Sequence, residues 1–280
     1  MSKPKALVIL SGGQDSTTCL AWAVKAGYDV SAVTFNYNQR HSLELQAARA
    51  VAKLAGVVNH EVVSLGPILQ GTSPLTDPSQ ALETYKDFES MEGIIGDRVE
   101  KTFVPMRNAL FLTIAANRAV VAGAKIMITG VCEADNANYP DCRGSFIKAQ
   151  QWAINEALGY NDGPANPDQI QIQTPLLHQT KAQSIAMMTN LGCLEWLAFT
   201  HTAYDGSYPP VSKDHANVLR AQGFIEVGMP DPLVLRANME GLMALPVQDN
   251  YRNDELNTSI KHRIEKLVAT LNSKDSTNAL

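Results

Sequence analysis

Residues 6–17 read Ala6-Leu7-Val8-Ile9-Leu10-Ser11-Gly12-Gly13-Gln14-Asp15-Ser16-Thr17, and this stretch decides the fold. Five apolar residues end in a Ser-Gly-Gly-Gln-Asp-Ser turn, and a helical pattern follows at once. That order predicts a buried parallel strand, a glycine turn and a helix N-terminus. Such a turn aims several backbone N–H groups at one spot, where the helix dipole also favours negative charge. Gly12 and Gly13 allow close approach of a ligand, and Ser11, Ser16 and Thr17 add hydroxyl donors. Asp15 or Ser16 is placed to cap the helix. The expected occupant is a phosphate chain; the plain alternative is a glycine turn that only joins a strand to a helix.

Outward from this turn, strands and helices alternate. Cys19–Val24 continues the first helix, which Gly27 ends. Val30–Phe35 reads as a second strand, Ser42–Leu54 as a helix closed by Gly56, and His60–Val63 as a third strand. Residues 64–101 break the rhythm and are too long for an ordinary connection, so a lid or a partly disordered insertion is expected. Helix Asn108–Val121, strand Lys125–Thr129, helix Phe146–Leu158, strand Ile170–Gln173 and helix Thr180–Asn190 follow. The predicted fold is α/β, a doubly wound and mostly parallel sheet of about five strands with helices on both faces. Ligands of such sheets sit beyond the carboxyl ends of the strands, where Ser11–Ser16 lies.

From about His201 glycines and prolines cut the chain into short pieces, leaving a small, mainly helical C-terminal region. Val234–Leu242 has a helical pattern. Asn257–Leu271 is amphipathic, with Ile260, Ile264, Leu267 and Leu271 on one face. Asn272–Leu280 reads as a frayed tail. The expected division is an α/β nucleotide-binding domain over 1–200 and a small region over 201–280.

Composition limits the function classes. Of 280 residues, 23 are Lys or Arg and 28 Asp or Glu, with no basic block, so no surface for gripping a nucleic-acid backbone is expected. No apolar run reaches membrane-spanning length, and Met1–Lys5 runs straight into the first strand. The four cysteines are scattered, which suits reduced thiols and a cytoplasmic location.

Four further clusters carry chemistry. Phe35-Asn36-Tyr37-Asn38-Gln39-Arg40-His41 follows the second strand and concentrates hydrogen-bonding groups where an adenosine would sit; a polar connecting loop is the alternative. Thr102–Asn108 places Arg107 at a helix start, where the dipole favours acids, so an anion contact explains it better than a surface role. The loop Gly130–Arg143 holds Glu133, Asp135, Tyr139, Asp141 and Arg143. Carboxylates there can accept the N–H donors of a guanine-like edge, a tyrosine can stack on a flat ring, and an arginine can pair with a carboxylate; a solvated loop is the alternative. Cys132 in this loop reads as a packed thiol, since no dedicated base accompanies it. Lys181, at the head of a helix, is more useful to a phosphate than to the dipole, though alone it reads as a surface lysine.

No Lys follows the glycines, so the turn is not a nucleoside-triphosphatase loop, and no G-x-G-x-x-G is present. SGGQDSTTCL, the Tyr37–His41…Glu44 stretch, TFVPMRN, TGVCEAD…YPDCRGSF, TPL…Lys181 and RAQGF at Arg220–Phe224 occur in one order. In that order they resemble the 7-cyano-7-deazaguanine synthases, ATP-dependent carbon–nitrogen ligases with a pyrophosphate loop. The resemblance implies conversion of 7-carboxy-7-deazaguanine, with ammonia, ATP and Mg²⁺, to the nitrile through an adenylated acid and an amide, in queuosine biosynthesis and as a homodimer. It implies ATP and pyrophosphate contacts at Ser11, Gly12, Gly13, Gln14, Asp15, Ser16, Thr17, Tyr37, Gln39 and Arg40. Substrate contacts fall on Arg107, Asn108, Glu133, Asp135, Tyr139, Asp141 and Arg143, and catalytic roles on Asp15, Arg107 and Lys181.

Two departures stand out. The family carries a zinc site in its C-terminal part, first in a Cys-Tyr-x-Gly step and then in C-x-x-C-x-x-C. Here Ala203 fills the first position, and Val211–Asn217 contains no cysteine. His201, Asp205, Asp214 and His215 are the residues that could substitute, but the expectation is a zinc-free region compensated by the C-terminal helix. Met106 stands where the family often has a small residue, which would narrow the pocket. Divergence near the zinc site leaves two other readings: a ligase that stops at the amide or joins the acid to an amine of a partner protein, and a non-catalytic nucleotide- or deazapurine-binding subunit.

Overall fold

The computed structural model describes residues 3–40, 42–134, 137–161 and 166–277. Its centre is a five-stranded, all-parallel sheet in the order β3-β2-β1-β4-β5. The strands are β1 Lys5–Ile9, β2 Asp29–Asn36, β3 His60–Ser64, β4 Ile126–Ile128 and β5 Gln171–Gln173. Successive residues of an apolar strand point to opposite faces, and each face needs its own cover. Val8 packs into one core, with α1 Gln14–Lys25, α2 Leu43–Leu54 and α6 Lys181–Asn190. Its neighbour Leu7 packs into the other, with α4 Arg107–Ala122 and α5 Gly144–Ala157. The doubly wound expectation holds.

Strand order reverses between β1 and β4, and that is where a crevice opens at the strand ends. Two glycines let the chain close around it. A Cβ on Gly12, whose φ is +89°, would stand 2.3 Å from the Glu44 carbonyl at the start of α2. A Cβ on Gly130, after β4, would stand 2.9 Å from the Asp15 backbone. Both contacts are closer than any side chain permits.

Three stretches differ from expectation. The 64–101 segment is structured and carries α3 Phe88–Ile95, whose start is a capping box: Asp87 accepts from the Ser90 N–H and Ser90 from the Asp87 N–H. The acidic residues there mark a helix start rather than a break. The segment is pinned to the rest of the fold through Arg40, which donates to the Pro74 and Gln80 carbonyls, and through the Tyr85 N–H, which donates to the Lys213 carbonyl. Beyond His201 the glycines are not all breaks. Helix α7 His215–Val227 runs straight through Gly223, because that glycine faces Lys181 of α6 at a distance no Cβ could share. After α8 Pro232–Met239, α9 Asp254–Thr277 carries the helix six residues past Leu271.

Ile260 and Ile264 of α9 are fully buried, and Leu267 and Leu271 pack beside them, as the periodicity indicates. They join the core that contains Val8 and Leu20, so α9 docks on the sheet-covering helices. Among the described residues, no helix is long and apolar enough to cross a membrane.

Candidate active site

The crevice at the β1/β4 ends is a cavity of about 290 Å³. One wall is the turn after β1. The Ser11 N–H donates to Ser16 Oγ at 3.2 Å, the two hydroxyls lie 3.0 Å apart, and Ser16 Oγ donates to the Gly13 carbonyl at 3.2 Å. These bonds hold the turn in one shape at the N-terminus of α1. A turn held in this shape presents the N-terminus of α1 to the cavity, which suits an anion that arrives or departs there. Thr17 is fully buried within α1 beneath the turn. Gln14 lines the cavity at 5 % exposure, and neither atom of its amide has a hydrogen-bond partner in the protein.

Lys181 reaches the same wall from α6. Its ammonium donates to both carboxylate oxygens of Asp15, each at 2.9 Å. Its stem packs against Gly223 of α7. The opposite wall carries Arg107, the first residue of α4, beside the Tyr37 hydroxyl and near Tyr139 and Tyr204. Burial pushes the tyrosine hydroxyls upward, so all three stay protonated donors at neutral pH. Desolvation works against the charge of Arg107, yet its guanidinium stays charged, with the Tyr37 hydroxyl hydrogen-bonded beside it. Glu44 also lines the cavity, and burial pushes its carboxyl up to about 7 against the opposing charge of Arg107.

The residues expected at the substrate divide. Arg107, Asn108 and Tyr139 line the cavity, and Tyr139 is held by its hydroxyl, which lies 2.5 Å from Thr102 Oγ1 and donates to buried Glu100. Glu133, Asp141 and Arg143 do not line it. Glu133 is exposed and accepts the Gly144 N–H at the start of α5. Buried Asp141 accepts the Asn108 N–H in the first turn of α4, and Arg143 is exposed at the α5 boundary. Both carboxylates sit where a helix start leaves N–H groups unpaired. Asp135 and His41 lie outside the described residues.

At the nucleotide side, Tyr37, Gln39 and Arg40 all line the cavity. Gln39 also accepts the Tyr37 N–H, and Arg40 braces the 64–101 segment. Cys132 lines the cavity too and donates to the Gln179 carbonyl at 3.0 Å, a packed thiol. Met106 does not narrow the space. It is 68 % exposed and lies outside the lining, in a left-handed conformation (φ 64°) before α4. A small residue is favoured there by the backbone, not by the pocket.

Sequence reading did not assign a role to Glu44, Tyr204 or Arg220. Glu44 was visible in a motif but reads locally as an ordinary first-turn acid of a helix. Buried Arg220 donates to both oxygens of Asp231 at 2.7 Å, and to Thr200, Thr202 and the Leu197 carbonyl. All its donors are used within the protein, so it shapes the 197–202 stretch and is not offered to a ligand. That stretch matters because the His201 N–H donates to the Gly12 carbonyl.

Among the described residues, no three His, Cys, Asp or Glu side chains are grouped to hold a metal ion. His201 Nε2 bonds the Ala203 carbonyl. Asp214 accepts the N–H groups of Tyr204 and Asn217 at 3.0 Å each.

The family model of the queuosine biosynthesis protein QueC matches residues 5–228. A 7-cyano-7-deazaguanine synthase of Gloeobacter violaceus is 47 % identical over 232 residues, 82 % of this chain and 95 % of that protein. One of Chromobacterium violaceum is 44 % identical over 244 residues, 85 % and 97 % of the two chains. Among solved structures, an NMN synthetase of Francisella tularensis superposes with a TM-score of 0.40 at 13 % identity, covering 95 % of this chain and 87 % of that one. The match to the family model spans the whole cavity, from the turn after β1 to the helix that carries Gly223, and the chain belongs to the QueC family.

Proposed function

We propose that this chain converts 7-carboxy-7-deazaguanine and ammonia to 7-cyano-7-deazaguanine at the expense of ATP. The observation that carries the reading is the meeting, in one cavity, of the Ser11–Ser16 turn, the Lys181–Asp15 pair and Arg107, in a chain that aligns with named synthases along nearly their whole length. A carboxylate is a poor electrophile and must first be activated. Arg107 is placed to hold the acid, and the turn with Lys181 to receive the pyrophosphate that leaves when the acid is adenylated. Ammonia then displaces AMP to give the amide, and a second adenylation on the amide oxygen allows its loss as the nitrile forms.

Magnesium fits beside ATP. Asp15 supplies the hard carboxylate oxygen such an ion takes together with phosphate oxygens, and the ion would neutralise triphosphate charge. Release of Asp15 from Lys181 would free both partners for that task. Zinc does not fit the residues present, because Asp214 and His201 are committed to backbone partners and the expected cysteines are Ala203 and the Val211–Asn217 segment. We infer that the Asp214 bonds, which tie the 204 turn to α7, and the docking of α9 take over the bracing role within a C-terminal region over 201–280. A homodimer acting in the cytoplasm completes the proposal, on the strength of the family resemblance.

Incubation with the acid, ATP, Mg²⁺ and ammonia, read by mass spectrometry, tests it. Nitrile with AMP is expected. Amide alone, or a conjugate with a protein amine, would replace the endpoint, and absence of AMP would refute the activity. A metal assay on the purified protein is expected to find less than stoichiometric zinc.

A further inference from the structure

Glu44 has no role so far, and its surroundings are unusual for an acid in a first helical turn. Such residues normally reach solvent or the unpaired N–H groups of their own helix. Here the carboxylate lines the cavity and, among the described residues, accepts no hydrogen bond and forms no ion pair. The titratable groups that face it are Arg107 from α4, Tyr37 from the end of β2 and Tyr204 from the turn before α7. Its own backbone carbonyl lies against Gly12, which places it behind the turn that receives the phosphates.

Resting on the proposed synthase reading, we propose that Glu44 is the base that takes protons from the ammonia-derived nitrogen. In the first half-reaction the nitrogen lone pair attacks the carbonyl carbon of the adenylated acid. The C–N bond forms, the nitrogen becomes cationic and loses one proton to Glu44, and the C–O bond to AMP breaks. In the second half-reaction the amide oxygen bears the adenylyl group. The nitrogen then gives up its remaining protons as the C–O bond breaks, AMP leaves and the C≡N bond forms. Both halves need a proton acceptor beside the same carbon, and Arg107 is the group placed to hold the carboxyl end of the acid there. Asp15, the other carboxylate described in the cavity wall, is held by Lys181. A carboxyl raised to about 7 by desolvation is matched to this task, because it accepts a proton from a cationic nitrogen and returns it to solvent near neutral pH.

The test compares Glu44→Gln with the wild type in two assays. The first is acid-dependent exchange of labelled pyrophosphate into ATP, which reports adenylation alone. The second is ammonia-dependent formation of amide and nitrile. The variant is expected to keep exchange within about threefold and to lose turnover by about 100-fold or more, the size of general-base catalysis. The wild-type kcat should fall below about pH 7, and that acid limb should be absent from the residual activity of the variant. Unchanged turnover would overturn the inference. So would a parallel loss of exchange, which would make Glu44 a binding group for the acid or ATP. If the wild type showed no exchange and no product, the synthase reading itself would fail, a result distinct from either.

Discussion

The ammonium of Lys181 donates to both oxygens of the Asp15 carboxylate at 2.9 Å, joining the head of α6 to the first turn of α1 across 166 residues of chain. Neither residue is fully exposed, so the pair is less screened than a surface ion pair. Its position beside the Ser11–Ser16 turn makes it, on the proposed activity, the place where charge is exchanged when a polyphosphate enters.

That position depends on Gly223. A Cβ added there would stand 2.9 Å from Lys181 Cγ and 3.0 Å from Ile185 Cδ1. Gly223→Ala should therefore displace the lysine stem, destabilise the protein by about 1–3 kcal/mol and lower pyrophosphate exchange. Lys181→Met keeps the stem and removes the charge. It should leave thermal stability within a few degrees while reducing exchange by about 100-fold or more, the cost of losing one preorganised charge-stabilising donor. Thermal melts paired with exchange assays separate the two effects.

Gln14 gives the opposite pairing of stability and activity. Its buried amide has neither donor nor acceptor satisfied by the protein, a condition that costs about 1–3 kcal/mol per polar group unless a ligand or water supplies the bonds. Gln14→Leu should raise the melting temperature of the free protein and weaken ATP binding, measured by calorimetry. A variant that melts lower and binds ATP as before would show that the amide serves packing alone.

The alternation of strand and helix, the turn after β1 and the faces of α9 were legible because each is a local pattern: apolar runs, glycine at a helix start, spacing of three and four. The carboxylates of the 130–143 loop were not. Whether Glu133 and Asp141 face a ligand or cap a helix depends on where α4 and α5 begin in space, which no local spacing encodes. Gly223 misled for a related reason. Read alone it breaks a helix, and only the lysine packed against it explains why it lies inside one. Glu44 was hidden by its resemblance to an ordinary first-turn acid.

Arg220 shows how the cavity wall is braced from inside the protein. Its guanidinium is 2 % exposed and bonded by Asp231, Thr200, Thr202 and the Leu197 carbonyl. Arg220→Met leaves Asp231 buried without its partner, which should cost about 3–5 kcal/mol in urea unfolding. Arg220→Lys should recover little, because one ammonium cannot replace a bidentate contact and three further bonds. Joint replacement with Asp231→Leu should be milder than Arg220→Met alone, since no isolated charge remains.

Glu44 also predicts a pH dependence of folding that is independent of turnover. Burial raises its carboxyl from about 4.5 in the unfolded chain to about 7 in the folded one, with the charge of Arg107 only partly opposing. A raised folded value means that the native state binds the proton more tightly. The resulting stability is fully present below about pH 4.5 and is lost as pH rises through about 7. Glu44→Gln carries no titrating group and should escape the loss. The stability of the variant minus that of the wild type should then grow between about pH 4.5 and 7, with a slope of at most about 1.4 kcal/mol per pH unit, and level off above. The total should stay below about 3 kcal/mol, because the group is not fully enclosed. Urea unfolding of both proteins at intervals from pH 4.5 to 8.5 measures the difference directly. A flat difference would mean that the carboxylate is solvated in the free protein, and its burial would then have to come from bound substrate.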